Sequence, residues 1–220
     1  MLKRPLYASA SSVVSWTLAL SIAIAGNAFA EDGKEGHVSQ TISLWGGSTP
    51  APDFLVLIKD VVGARYQLHL PLGQGHHWTV SPGLGYGYGS WKDEQHNPPV
   101  TPTTYQTTAS YWDAVLDFLY YPGDGNSDGF YCGPGLFYSA VTPTEKATGM
   151  RDLTYDPYRT FGAQLTAGGG IPMGSRMELT GSMTERAGMT TFDRKATLSE
   201  DKFSAITFST QFSGGLRVRF

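Results

Sequence analysis

Residues 204–220 read Ser-Ala-Ile-Thr-Phe-Ser-Thr-Gln-Phe-Ser-Gly-Gly-Leu-Arg-Val-Arg-Phe, and their alternation decides the fold. The even positions are Ser204, Ile206, Phe208, Thr210, Phe212, Gly214, Leu216, Val218 and Phe220. The odd positions are Ala205, Thr207, Ser209, Gln211, Ser213, Gly215, Arg217 and Arg219. One face is largely apolar and the other is polar or glycine, without a break. A period of two with unlike faces marks an amphipathic strand. A strand of this length exceeds ordinary globular strands and suits one that crosses a bilayer at a tilt.

The same pattern recurs towards the N-terminus. Met177, Leu179 and Met183 alternate with Glu178, Thr180, Ser182 and Thr184, and Phe161, Ala163, Leu165 and Ala167 with Thr160, Gly162, Gln164 and Thr166. Phe130, Cys132, Leu136 and Tyr138 share a face. Trp112, Ala114, Leu116, Phe118 and Tyr120 stand opposite Asp113 and Asp117. Trp78, Val80, Leu84, Tyr86 and Tyr88 oppose Thr79, Ser81, Gly83, Gly85 and Gly87. Val62, Ala64, Tyr66, Leu68 and Leu70 oppose Gly63, Arg65, Gln67 and His69. Val38, Ile42 and Leu44 complete a set of eight segments, with Gln40 on the apolar face. The connections after the second, fourth and sixth segments are short. Those after the first, third, fifth and seventh read as long polar loops of about fourteen to twenty residues, the alternation of tight periplasmic turns and longer outside loops seen in outer-membrane barrels. The expected fold is an all-β, eight-stranded antiparallel up-and-down transmembrane β-barrel.

A soluble up-and-down barrel also alternates, but it points its apolar face inward. An eight-stranded interior is only just wide enough to be filled by side chains. Glycine, small and polar residues fit it, so the bulky face is expected outside, against lipid. Trp78, Tyr86, Tyr88, Trp112, Tyr120, Tyr121, Tyr138 and Tyr158 suit aromatic girdles at the membrane interfaces. Pro82 and Pro134 fall inside proposed strands, where each removes a hydrogen-bond donor, and bulges or strand ends are expected there. The apolar run Phe54 to Ile58 falls in the first outside loop.

Residues 1–30 read as a cleaved signal peptide. Lys3 and Arg4 precede the apolar stretch Val13 to Ala25, and Ala28-Phe29-Ala30 supplies the small-x-small cleavage pattern. An uncleaved membrane helix is the alternative for that stretch. Residues 31–220 then form the barrel. The chain of 220 residues has a net charge of −3, and losing Lys3 and Arg4 makes the remainder more acidic. That balance argues against nucleic-acid binding. A single cysteine, Cys132, excludes an intramolecular disulfide.

In architecture the chain resembles the small outer-membrane β-barrel superfamily that includes OmpA-, OmpX- and OmpW-type porin-like proteins. The most specific match is the end, Gly215-Leu-Arg-Val218-Arg-Phe220, and the stretch from Leu116 to Tyr138 is similar to hairpins of porin-like members. The resemblance implies that Gly215, Val218 and Phe220 form the signal read by the barrel-insertion machinery. It also implies a bacterial outer-membrane location with termini in the periplasm and long loops outside.

The charges on the polar face are the candidate site: Arg65, His69, Asp113, Asp117, Glu178, Arg217 and Arg219. Charges in a narrow interior must be paired or hydrated, so a salt-bridge network plugging the lumen is expected, with a polar pathway for small solutes as the alternative. Asp117 is expected to pair with a buried arginine. Asp124-x-Asn126-x-Asp128-Gly129 matches the start of a calcium loop, but Gly135 stands where a bidentate glutamate is needed, and turn chemistry explains the residues. No metal and no cofactor is expected. Ser90, Asp93, Glu94 and His96 could form a hydrolytic set facing lipid. The His-x-Ser-Asn strand motif of the lipid A deacylases, the barrel enzymes they would resemble, is absent. His76 and His77 are expected in a solvated turn and Cys132 against lipid. The leading function is a non-enzymatic, monomeric barrel for envelope structure, surface interaction or limited small-solute passage, with outer-membrane lipid and lipopolysaccharide as surroundings. A lipid A-modifying enzyme of the deacylase or acyltransferase type is the alternative.

Overall fold

A computed structural model describes residues 38–47, 61–72, 77–95, 103–122, 129–147, 153–154, 157–196 and 199–220. The proposed signal peptide, the Phe54 to Ile58 run, His76, His96 and Asp124 to Asp128 lie outside them. The strands are β1 (Ser39–Gly47), β2 (Val61–Leu72), β3 (Trp78–Gln95), β4 (Thr103–Tyr120), β5 (Tyr131–Ala147), the short β6 (Leu153–Thr154), β7 (Tyr158–Pro172), β8 (Met177–Ala196) and β9 (Ser199–Arg219). All neighbours are antiparallel, in the order β4-β3-β2-β1-β9-β8-β7-β5, and a β4–β5 ladder closes the ring. The two-residue β6 is appended to β5. Eight strands therefore make a closed wall, with the first sealed to the last from Ser39↔Arg219 to Gly47↔Gln211. Closure satisfies the backbone inside the wall, which is what hydrocarbon demands of a spanning sheet.

The two faces of the wall are inverted relative to a water-soluble barrel. On β9, Ile206 is 71% and Phe208 is 74% exposed, while Thr207, Ser209, Gln211 and Arg217 are buried. The same holds on β8, where Leu179, Met183 and Met189 are exposed and Glu178, Thr180, Thr184, Arg186 and Thr190 are buried. Burial thus follows polarity in the wrong sense for water and the right sense for lipid, and the barrel is a transmembrane one. Phe212 lies midway along the outward row from Ile206 to Phe220 and is 59% exposed. Phe212→Arg is expected to destabilise the folded barrel by about 2 kcal/mol, as a cation does near the middle of a lipid-facing wall. Urea titration in phospholipid vesicles, followed by Trp fluorescence, measures it; an unchanged midpoint would place that face away from lipid.

Three expectations need correction. The interior is not only small and polar: Trp45, Tyr111, Leu119, Tyr121, Tyr131 and Phe137 are buried in it. Inward glycines make the room. A side chain at Gly63 or Gly87 would collide with the Trp45 ring. Tyr121 and Tyr158 consequently leave the girdle for the interior, while Trp78, Tyr86, Tyr88, Tyr120 and Tyr138 stay exposed on the outer face.

Where they are described, the long polar loops after the third, fifth and seventh segments are largely strand. β3 runs to Gln95 before β4 starts at Thr103, and β8 and β9 are joined by residues 197–198 alone. Threonine-rich stretches such as Thr103 to Ser110 favour strand, and a ladder prolonged into water needs no apolar face. Fading alternation therefore does not end the strand. Pro82 and Pro134, finally, cause neither bulges nor strand ends. β2 pairs with β3 in the same register on both sides of Pro82, from Gln67↔Gly83 to Leu70↔Val80, and β4 with β5 on both sides of Pro134, from Asp117↔Gly135 to Tyr120↔Cys132. The ladder is interrupted on one flank, where proline has no N–H to give, and is kept on the other as Pro82↔Leu116 and Pro134↔Leu165.

Candidate functional site

The inward charges gather at three levels of the lumen. At the first, Asp113 of β4 faces Arg65 of β2 and Arg186 of β8 across the barrel. Its Oδ2 accepts from Arg65 Nη2 at 2.5 Å and from Arg186 Nη2 at 2.8 Å. Arg65 Nη2 also donates to Gln211 Oε1 at 2.7 Å, and Arg186 Nη1 to the Tyr111 hydroxyl at 2.7 Å. The Arg186 guanidinium lies 4.7 Å from the Phe137 ring centre and that of Arg65 5.8 Å from Trp45. The buried aromatics thus line the cations, whose planar charge favours such faces.

At the opposite end, Glu178 of β8 holds Arg217 and Arg219 of β9. Its Oε2 accepts from Arg217 Nη1 at 3.1 Å and from Arg219 Nη2 at 3.3 Å. The Arg217 guanidinium sits 5.3 Å from the Tyr131 ring centre and 5.8 Å from that of Tyr121. His69 is buried beside this cluster, with Nε2 2.8 Å from Thr41 Oγ1 and Nδ1 2.7 Å from Ser81 Oγ. Between the two levels, Asp117 meets amides: it accepts from Gln67 Nε2 at 3.0 Å and from Gln164 Nε2 at 2.5 Å. The expected arginine partner belongs to Asp113, four residues away. Both aspartates point inward from β4, and which one meets an arginine depends on strands that are not its neighbours.

Each carboxylate is seated against a glycine of the adjacent strand. Gly85 lies directly opposite Asp113 and Gly135 opposite Asp117, and an added methyl group at either would overlap the carboxylate Oδ1. Gly170, whose register partner is Thr180, likewise leaves room for the Glu178 carboxylate. Gly85→Ala is expected to push Asp113 off its two arginines and cost about 2 kcal/mol, in the range of overpacking a filled interior. Urea midpoints of the variant and parent barrels compare them directly, and a loss under 0.5 kcal/mol, which ordinary surface substitutions also give, would show that the carboxylate does not need that space.

The structure thus brings Arg65 to Asp113, and Arg217 and Arg219 to Glu178, and sets His69 and Asp117 apart from direct ion pairing. Arg186, with Tyr111, is the member that sequence reasoning missed. The inward row Glu178, Thr180, Ser182, Thr184 continues through Arg186, Gly188 and Thr190, so carrying the alternation two residues further finds it. Elsewhere, His77 Nδ1 is 3.0 Å from the Tyr121 carbonyl oxygen, and Cys132 lies half-buried on the outward row. Ser90 is exposed on β3; the side chains of its proposed acidic partners are outside the described set. Gly215 faces inward against Ser43, and Phe220 is exposed at the rim.

No protein-family model and no curated protein matches the sequence. Solved structures do match. Ail, the attachment invasion locus protein of Yersinia pestis, in complex with the heparin analogue sucrose octasulfate, superimposes with a TM-score of 0.51 at 9% identity, covering 85% of this chain and 100% of that one. A second structure of Ail gives 0.50 at 11% identity, again over 85% and 100% of the two chains. The fold is that of the small outer-membrane β-barrels. The outer membrane protein OprG from Pseudomonas aeruginosa also matches, with a TM-score of 0.48, 9% identity and coverage of 86% and 98%. In a small outer-membrane barrel of eight strands, side chains alone suffice to fill the interior. Here the described filling combines two ion clusters, the amides around Asp117 and buried aromatic rings.

Proposed function

We propose that the chain is a non-enzymatic barrel of the bacterial outer membrane whose lumen is closed by its own charges, serving envelope structure, surface interaction or limited small-solute passage. One observation carries this reading: Asp113 binds two arginines from opposite parts of the wall, so a single cluster bridges β2, β4 and β8 across the lumen. A second ion cluster, at Glu178 between the neighbouring strands β8 and β9, lies towards the other end. Ion pairs that reach across the lumen obstruct it at that level. The leader of residues 1–30 would be removed on export, Gly215, Val218 and Phe220 would be read by the insertion machinery, and both termini would face the periplasm. The rim at which β3, β4, β5, β8 and β9 are prolonged would then face outside, where lipopolysaccharide surrounds it and the strand ends offer polar surface.

Planar-bilayer recording tests the closed lumen. The purified barrel is expected to show no steady conductance steps, and Asp113→Ala with Glu178→Ala in one chain is expected to open some. Stable channels in the unaltered protein would overturn the plug.

A further inference from the structure

The four acidic side chains described divide unequally: Asp113, Asp117 and Glu178 face the lumen, and Glu185 faces outward. Glu185 is not at a rim. Across β7, β8 and β9 its row is Leu165–Glu185–Thr210. Two rows above lies Phe161–Met189–Ile206 and three rows below lies Ile171–Leu179–Leu216, all exposed. A carboxylate is thereby held within the apolar band, where an ionisable group is unfavourable and marks a function unless a partner explains it. Thr210 Oγ1 donates to both oxygens, at 2.9 and 3.0 Å. That leaves lone pairs on each oxygen directed to the outside, since a carboxylate accepts about four hydrogen bonds.

Below this acceptor the wall is hollowed. Gly169, Gly181 and Gly214 align in one row across the same three strands; the row between it and Glu185 is Ala167–Met183–Phe212, of which Ala167 on β7 is the small member. A side chain added at Gly181 or Gly214 would meet little but open space. The glycine row lies about 13 Å along the strands from Glu185, and the way between them runs over Ala167 on β7, beside Met183.

We propose that Glu185 and Thr210 with the glycine recess bind one outer-leaflet amphiphile, whose acyl chains are attached through groups bearing N–H or O–H donors. An amide-linked, hydroxylated acyl chain carries such donors; ester-linked phospholipid chains offer only acceptors. The polar end above and the recess below orient the ligand head-outward, an assignment that rests on the membrane orientation proposed above. A second copy of the chain does not fit. Around a two-fold axis normal to the membrane, Glu185 would meet its own counterpart, and the nearest described cation on this wall, Arg159, stands three rows higher.

Native mass spectrometry of the full chain, extracted from nanodiscs of lipopolysaccharide mixed with phosphatidylglycerol, tests the site. The parent barrel is expected to retain lipopolysaccharide, and Glu185→Leu to lose about tenfold of that retention, with phosphatidylglycerol unaffected and the urea midpoint equal or higher. Gly181→Leu, which fills the recess, is expected to act likewise. Equal retention by parent and Glu185→Leu would overturn the proposal. So would a parallel loss of phosphatidylglycerol, or a lowered midpoint that makes the Glu185–Thr210 pair structural. Failure of the parent barrel to enter nanodiscs at all would instead sink the membrane reading beneath it.

Discussion

Asp113→Ala is expected to lower the stability of the barrel by about 3–5 kcal/mol, the largest loss of any single substitution considered. The side chain is small and fully enclosed, so lost packing contributes little. The effect comes from Arg65 and Arg186, both buried and both directed at the same Oδ2. Removing the carboxylate leaves two guanidiniums with no second anion among the described residues within ion-pair distance, because Asp117 is taken up by Gln67 and Gln164. Asp113→Asn keeps an acceptor oxygen and is expected to cost less. Combining Asp113→Ala with Arg186→Met is expected to recover part of the loss, since an apolar side chain of similar length needs no counter-charge. Urea unfolding in vesicles at constant slope measures all three. A loss below 1 kcal/mol for Asp113→Ala would show that water already solvates the arginines and that the lumen is wet rather than closed.

Glu178→Ala is expected to cost about 3 kcal/mol, less than Asp113→Ala because its two cations differ in burial. The Arg217 side chain is 1% exposed, whereas that of Arg219 is 15% exposed and sits at the rim. Arg219 can turn to water when its carboxylate is gone, and Arg217 remains enclosed beside Tyr131 and Tyr121. Arg219→Ala alone should therefore cost less than Glu178→Ala, because Arg217 still pairs the carboxylate. If Glu178→Ala proved the more damaging of the two alanine substitutions, burial would not be what ranks these clusters.

The wall of this barrel was legible because lipid on one side and a narrow lumen on the other force every spanning strand into the same two-residue pattern. β9 shows it from Ser204 to Arg219, and its faces there lie where the alternation puts them. The filling was less legible. Alternation assigns Trp45, Tyr111 and Phe137 to the inside but does not say that Gly63, Gly87 and Gly188 would make room for such rings. Arg186 escaped notice for a local reason: the outward position before it is Glu185, which breaks the apolar row and makes the strand appear to end at Thr184. The prolonged parts of β3, β4, β8 and β9 were read as loops because, once clear of hydrocarbon, neither face is required to be apolar. The partner of Asp117 was misassigned because contacts across a lumen depend on the stagger of the whole ring.

The ladder between β1 and β9 has a kinetic implication. Ser39 and Arg219 are partners at nearly opposite ends of the folded polypeptide, so the ring cannot be sealed until the last residues have arrived. Every earlier species carries two unsatisfied edges, which hydrocarbon penalises and which invite pairing with other chains. Joining such distant segments also incurs the loop-closure entropy that slows topologies of high contact order. A chain shortened by its final strand should therefore accumulate as aggregate rather than as a smaller pore, and full-length material should fold slowly unless its two ends are held together.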